Sequence, residues 1–312
     1  MVEYIALQNP LGADVFIATA QKLAVLEVRG SPSNFPVVMG AVNGRHAHPQ
    51  TFCFVDRELS ESSLRALSGA VVLTTAALAD SLANAYVLVT ADPRALFIDL
   101  VNVLSQSPGF ELLTSLVQQK AGIHPMAEIH PQAVVEDGVA IGIGSSIAAG
   151  CVIKSGTSIG ERVIVRENTV IGCAGIALYK TQDGRVLRFP HLAGVHIGDD
   201  TEIGANCVIP RGMMSSGRIG RSAVIGNLCN IGHGACIGDK VWMSVGTLVG
   251  GNSSIGTGCT LGMGCTIRDN ITIGERASIG MGSVVVKDID ADTSVFGNPA
   301  KRLPNVEAGP QR

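Results

Sequence analysis

The 312-residue sequence predicts a mainly β protein, a left-handed parallel β-helix preceded by a small α/β domain, and three observations carry that expectation. From residue 123 onward an aliphatic residue recurs at every sixth position. The residue two places before it is usually small, and glycine often follows it. Glycine is abundant at 38 residues while aromatic residues make up only 4%, so the core is expected to be Ile, Val and Ala with backbone close to backbone.

Residues 1–106 lack the six-residue period and read as an α/β domain. "QTFCFV", "GAVVLTT" and "AYVLVTA" are short apolar runs that suit strands, whereas "RELSESSLRAL" and "PRALFIDLVNVLS" suit helices. The stretch "GFELLTSLVQQKAG" then predicts a linker helix within 107–122, with Gly122 as its C-cap.

The repeat starts at Ile123 and keeps register through Ile171, resumes at Ile197, Ile203 and Ile209, and after a displacement of four residues runs from Ile219 to Val285. These are twenty-four hexads. Three short strands make one triangular coil of about eighteen residues, so about eight coils are expected, with each aliphatic pointing inward. The left-handed form departs from the usual crossover hand. Cys151, Cys207, Cys229, Cys259 and Cys265 occupy the small inward position and read as core hydrophobes. With no CxxC among the eight cysteines, neither disulfides nor zinc are expected and the compartment reads as reducing. The β-helix is placed at 123–290, and 291–312 read as a C-terminal tail.

A formal net charge of −3 and the absence of a Lys/Arg stripe argue against nucleic acid as a partner. The most apolar region, "AVVLTTAALADSLANAYVLV", is interrupted by Asp80, Ser81 and Asn84 and is not a membrane span. With no signal segment at the N-terminus, a cytoplasmic protein is expected.

Two segments break the repeat: residues 172–196, "GCAGIALYKTQDGRVLRFPHLAGVH", and residues 210–218, "PRGMMSSGR". Loops ejected from a regular solenoid are candidate functional surfaces, although they could serve only to cap it or to pack subunits. Downstream, in "NLCNIGHGACIG", His233 lies two positions after Ile231, at a coil corner and pointing outward. Gly251 lies one coil later, with nothing beyond its Cα to obstruct a ligand. An imidazole beside an exposed amide is the minimum equipment for acyl transfer, as general base and oxyanion donor. A surface histidine making an intersubunit hydrogen bond is the bland alternative. His191 and His196 have a spacing that could suit a metal, as in hexapeptide carbonic anhydrases, but no third histidine accompanies them and no metal is expected. His191 fits better at the mouth of a substrate loop. His124 and His130 begin the first hexads and read as structural.

The long break, the following "IGDDTEIGANCVIPRG" and "IGNLCNIGHGACIG" resemble the UDP-3-O-acylglucosamine N-acyltransferases. So do the order of "LGADVFI", "VVLTTAALADSLANAYVLVTADPRALF" and "IHPMAEIHPQAVVEDGVAIG". The resemblance implies a homotrimer with sites between adjacent helices, His233 as catalytic base, Gly251 as oxyanion donor, and an N-terminal domain that helps to hold a nucleotide sugar, with Phe54 as a contact. There are departures. Asn270 stands where the family has a second histidine, no tyrosine accompanies Phe54, and the family's hydrophobic C-terminal helices are absent. The ending "SIGMGSVVVKDIDADTSVFGNPAKRL" instead resembles coenzyme A-dependent amino-sugar acetyltransferases, which implies a phosphate-binding role for Lys301 and Arg302. Asn227 and Asn230 are further candidate substrate contacts. The expected function is therefore transfer of a short acyl group from acyl-CoA to the amine of a nucleotide-linked amino sugar, with no tightly bound cofactor. The alternatives are the lipid A reaction with an acyl carrier protein as donor, and a non-catalytic trimeric scaffold.

Overall fold

The computed structural model describes residues 5–29, 35–42, 49–82, 84–108 and 122–303, and these form two compact units. The expected linker helix falls largely on 109–121, outside the described residues, and Gly122 opens the first strand of the β-helix.

The first unit contains strands β1 (Ile5–Leu11), β2 (Glu27–Arg29), β3 (Val38–Ala41), β4 (Thr51–Val55), β5 (Val71–Thr74) and β6 (Tyr86–Val89). They form one sheet in the order β1-β3-β4-β5-β6-β2, with a parallel centre and antiparallel edges. Helices α1 (Ala13–Leu23), α2 (Glu61–Ala66), α3 (Ala76–Ala79) and α4 (Pro93–Gln106) accompany it. β5 is buried at every position, which explains why its sequence is a continuous apolar run and does not alternate. α4 starts where Asp92 accepts the Ala95 amide and Pro93 supplies a preset φ at the first turn. Its buried face carries Leu96, Phe97, Ile98, Leu100, Val101 and Leu104.

The second unit is the parallel β-helix. Its strands stack into three sheets, running from Gly122–Ile123 to Thr272–Ile273 on the first face, from Glu128–Ile129 to Ser294–Phe296 on the second, and from Val134–Val135 to Val284–Val285 on the third. Register follows the hexad directly: Ile231 pairs with Val249, and Ile225 with Met243. From Ile141 to Val285 the aliphatic positions are buried, and Cys151, Cys207, Cys229, Cys259 and Cys265 lie in the same core. Each buried Ile contributes at most about 1.5–3 kcal/mol of transfer free energy.

The corners explain the glycines. A Cβ on Gly232 would lie 2.4 Å from the Gly251 nitrogen, so successive coils touch through bare backbone. Where the corner requires a left-handed residue, Asn often serves: Asn252 and Asn270 both have φ of 57°. That steric demand accounts for Asn270. His124 and His130 accept the Met126 and Gln132 amides through Nδ1, each at 3.1 Å, and so hold the first corners.

Two boundaries differ from the sequence reading. The coil continues past 290, because Ile289 bridges to Ile273 and Ser294–Phe296 pairs with Ser278–Ile279. Val295 replaces Ile as the inward residue, out of register with the hexad, which hid this turn. Lys301–Arg302 then runs antiparallel to Ser294–Phe296, so this part of the tail is ordered strand. Among the described residues no helix is long and apolar enough to cross a membrane.

Candidate active site

The long break divides between the two units. Residues 176–192 and 213–215 belong to the first unit, although the sequence reading assigned the whole loop to the β-helix. The reason is packing. The loop forms a hairpin, Leu178–Lys180 against Val186–Arg188, with no hexad to bury its side chains in a coil. Its Leu187, Tyr179 and Phe189 instead join Ala95 and Ile98 of α4 in an apolar cluster.

Polar contacts hold the hairpin in place. The Tyr179 hydroxyl donates to the carboxylate of Asp92, 3.0 Å from each oxygen, and Arg185 pairs with Asp99 at 2.9 Å. Burial, followed by the hydrogen bond to Asp92, pushes the Tyr179 phenol up. Arg94 lies 5.3 Å from the Phe54 ring centre and 5.2 Å from that of Tyr179, and its guanidinium is 2.7 Å from Asp56. Phe54 therefore has Arg94 over its ring and Phe97 at 5.2 Å. Tyr179→Phe should lower the thermal midpoint of the protein, by about 1 kcal/mol or more of lost hydrogen bonding, and speed proteolytic cutting within 176–192. An unchanged midpoint and cutting rate would remove the hydroxyl from this account.

The third-to-first corner of the β-helix concentrates the chemistry. Both breaks leave from it, and Cys173, Arg211, His233, Gly251 and Asp269 are the successive residues two places after the inward aliphatic there. Coils rise about 4.8 Å, so these residues form a column along one edge. Arg211 is half-buried, donates through Nε to the Gly172 carbonyl at 2.8 Å and also donates to the Ser155 carbonyl; its own amide binds the Cys173 carbonyl. It thus closes the base of both breaks. Burial lowers its pKa, with the nearby Glu136 carboxylate opposing that.

The imidazole of His233 lies directly over Gly251. A Cβ on Gly251 would be 2.7 Å from both Cε1 and Nε2 of the ring, so glycine is what lets the ring occupy that place. Burial lowers the His233 pKa from its ordinary value, opposed by the charge of Asp269. The ring is accordingly neutral, and able to accept a proton, at neutral pH.

The Gly251 amide has no hydrogen-bond acceptor among the described residues. The corner amides of Glu161, Ala205 and Arg221 donate to Asp199, Asn227 and Asp239 of the following coil, whereas those of Val245, Thr257 and Met263, like that of Gly251, have no acceptor among the described residues. The Gly251 carbonyl is engaged, accepting from the Asn270 amide at 2.9 Å. A neutral imidazole therefore stands beside a free N–H donor, an arrangement that can take a proton from a nucleophile and steady a developing oxyanion.

Of the other residues singled out from sequence, Asn227 spends its side-chain oxygen on the Ala205 amide, 2.8 Å away, and lies at the second-to-third corner. Asn230 is exposed on the third face. Half-buried His191 and Phe54 fall in the first unit. Lys301 and Arg302 are exposed, and neither forms an ion pair among the described residues. No group of three or more His, Cys, Asp or Glu side chains suited to a metal occurs among the described residues. The sequence reading missed Tyr179, Arg94, Arg211 and Asp269. Counting the column on by two coils from His233 would have found Asp269, whereas the partners of Tyr179 and Arg94 are set by the tertiary fold.

The bacterial transferase hexapeptide family (six repeats) matches residues 246–287. The chain is 42% identical over 86 residues to a UDP-3-O-acylglucosamine N-acyltransferase of Maricaulis maris, which is 28% of this chain and 25% of the relative. It is 41% identical over 81 residues to the protein of the same name from Coxiella burnetii, 26% of this chain and 24% of the relative. These matches span about a quarter of the relatives' length. Among solved structures, a UDP-N-acetylglucosamine acyltransferase from Campylobacter jejuni has a TM-score of 0.45 and 24% identity, covering 58% of this chain and 74% of that one.

Proposed function

We propose that this chain, a hexapeptide-repeat relative of the UDP-3-O-acylglucosamine N-acyltransferases, transfers an acyl group from a thioester to the amine of a UDP-linked glucosamine derivative. The observation that carries the reading is the packing of the His233 ring on Gly251, whose amide has no acceptor among the described residues. In this mechanism His233 takes the proton of the attacking amine and the amine attacks the thioester carbonyl. The Gly251 N–H then holds the tetrahedral oxyanion until the thiolate leaves, and the proton on His233 is available to that thiolate. No covalent enzyme intermediate forms.

The names of the relatives favour a UDP-3-O-acylglucosamine acceptor, which is the acceptor of the reading placed second from sequence, with an acyl carrier protein as its donor. A short acyl group on coenzyme A is the other reading, supported by the "GNPAKR" segment with its exposed Lys301 and Arg302. The active assembly in this proposal is a homotrimer. Supporting it is the apolar surface of the β-helix: Val245, Leu248, Met263 and Met281 are 41–67% exposed and suit burial against a second copy.

The test is an acylation assay with UDP-linked amino sugars as acceptors, offered 3-hydroxyacyl carrier protein in one series and acetyl-CoA in the other. Turnover with the carrier protein alone is expected. Turnover with acetyl-CoA alone would move the protein to the short-acyl reading, and turnover with neither would remove the proposed reaction.

A further inference from the structure

Asp269 occupies the same column as His233, two coils on, with only Gly251 between them. Their Cα atoms are separated along the stack by about 10 Å, from two rises of about 4.8 Å. Much of that gap is closed because the imidazole leans over Gly251, toward the coil that bears Asp269. A residue with a Cβ at 251 would push the ring out of this gap.

The conformation of Asp269 is the second observation. At other corners Asp199 and Asp239 turn back and accept the amides of Glu161 and Arg221 in the preceding coil. Asp269 does not accept from the Gly251 amide. One of its oxygens, Oδ2, accepts from Asn270 Nδ2 at 2.7 Å, and Asn270 is itself fixed by its left-handed backbone and by its amide bond to the Gly251 carbonyl. The pair thus leaves the Gly251 donor open and leaves the carboxylate of exposed Asp269 unspent on the stacking of the coils. The same carboxylate at Asp199 or Asp239 is consumed in stacking the coils.

The other charges near this edge are placed differently. Arg211, one coil before His233, directs its guanidinium toward Gly172 and Ser155. Arg268 is exposed beside Asp269, and Lys287 and Asp288 lie one coil further on. Gly250, Gly251 and Asn252 bring no charge from the intervening coil. Asp269 is the one charge among these that acts on the imidazole.

We propose that Asp269 is a positioning residue for His233: held by Asn270, its carboxylate faces the imidazole across the glycine gap and steadies the imidazolium that forms when the base takes its proton. The inference rests on His233 as the general base, and it concerns a group that does not touch the substrate. A carboxylate in this place orients the positive end of the proton transfer and raises the basicity that burial has reduced.

The test is an NMR titration of the His233 imidazole in the intact protein and in Asp269→Asn, the signal being assigned with His233→Ala. Asparagine keeps the shape and a carbonyl oxygen facing Asn270, and equal melting midpoints check the fold. The midpoint of the His233 titration is expected to fall by at least a few tenths of a pH unit in Asp269→Asn and to return toward the original in Asp269→Glu. The acid limb of kcat/KM against pH should move the same way. An unchanged His233 titration in Asp269→Asn would overturn the proposal, whatever the activity. Loss of turnover in every acylation assay, with the titration shift intact, would instead overturn the proposed reaction and leave the Asp269 coupling standing.

Discussion

His233→Ala is expected to lower kcat on the order of 10²- to 10⁴-fold, the usual worth of a positioned general base, with KM for the nucleotide sugar little changed. The His233 ring points out of a corner, while the inward position of that strand is filled by Ile231, 2% exposed. The His233 carbonyl accepts the Asn252 amide at 2.9 Å, and alanine retains that bond. The ring is half-buried, so the melting midpoint should fall by the ordinary cost of a point substitution, about 1 kcal/mol, with melting still cooperative. Full turnover in His233→Ala would return the protein to the scaffold reading. A parallel loss of activity and of cooperative melting would show that the ring is part of the stack.

The pH dependence has a definite sign. A base works in its unprotonated form, so activity rises as pH climbs through the His233 pKa. Burial holds that pKa below the ordinary histidine value, so the plateau should be reached already at mildly acidic pH. The wild-type limb should disappear in His233→Ala along with most of the rate.

The sequence made the β-helix legible because its spacing is a direct imprint of geometry. A six-residue strand-and-corner unit admits one inward aliphatic, and any slip exposes it to water. The same count placed His233 and Gly251 one above the other, and the structure agrees because nothing interrupts the stack between them. Legibility ended where contacts are long-range. Tyr179 is 87 residues from Asp92, and no local pattern announces that the hairpin packs with α4. Asn227 shows the opposite limit. Its place in the motif suggests ligand binding, and the motif gives no sign that the corner amide of Ala205 also uses its side-chain oxygen. The last coil was missed because its inward residue, Val295, falls out of the six-residue register.

Gly251→Ala is the second large effect, expected at about 10²- to 10³-fold in kcat, comparable with losing an oxyanion donor, although the amide itself survives the substitution. The three atoms nearest to the new Cβ, within 2.7–3.1 Å, all belong to the His233 ring, and Gly251 does not have a left-handed φ. Alanine is therefore acceptable to the backbone, and the imidazole is the part that must move. That makes the effect conditional. In a His233→Ala background the obstruction is gone, so adding Gly251→Ala should cost only a small further factor, and the double variant should fall far short of the product of the two single losses. Measured kcat values for the four proteins of this cycle decide the matter. Equal losses in both backgrounds would mean that the methyl group acts on the substrate or on the oxyanion and not through the base. Strong non-additivity would tie the ring and the glycine into one catalytic unit.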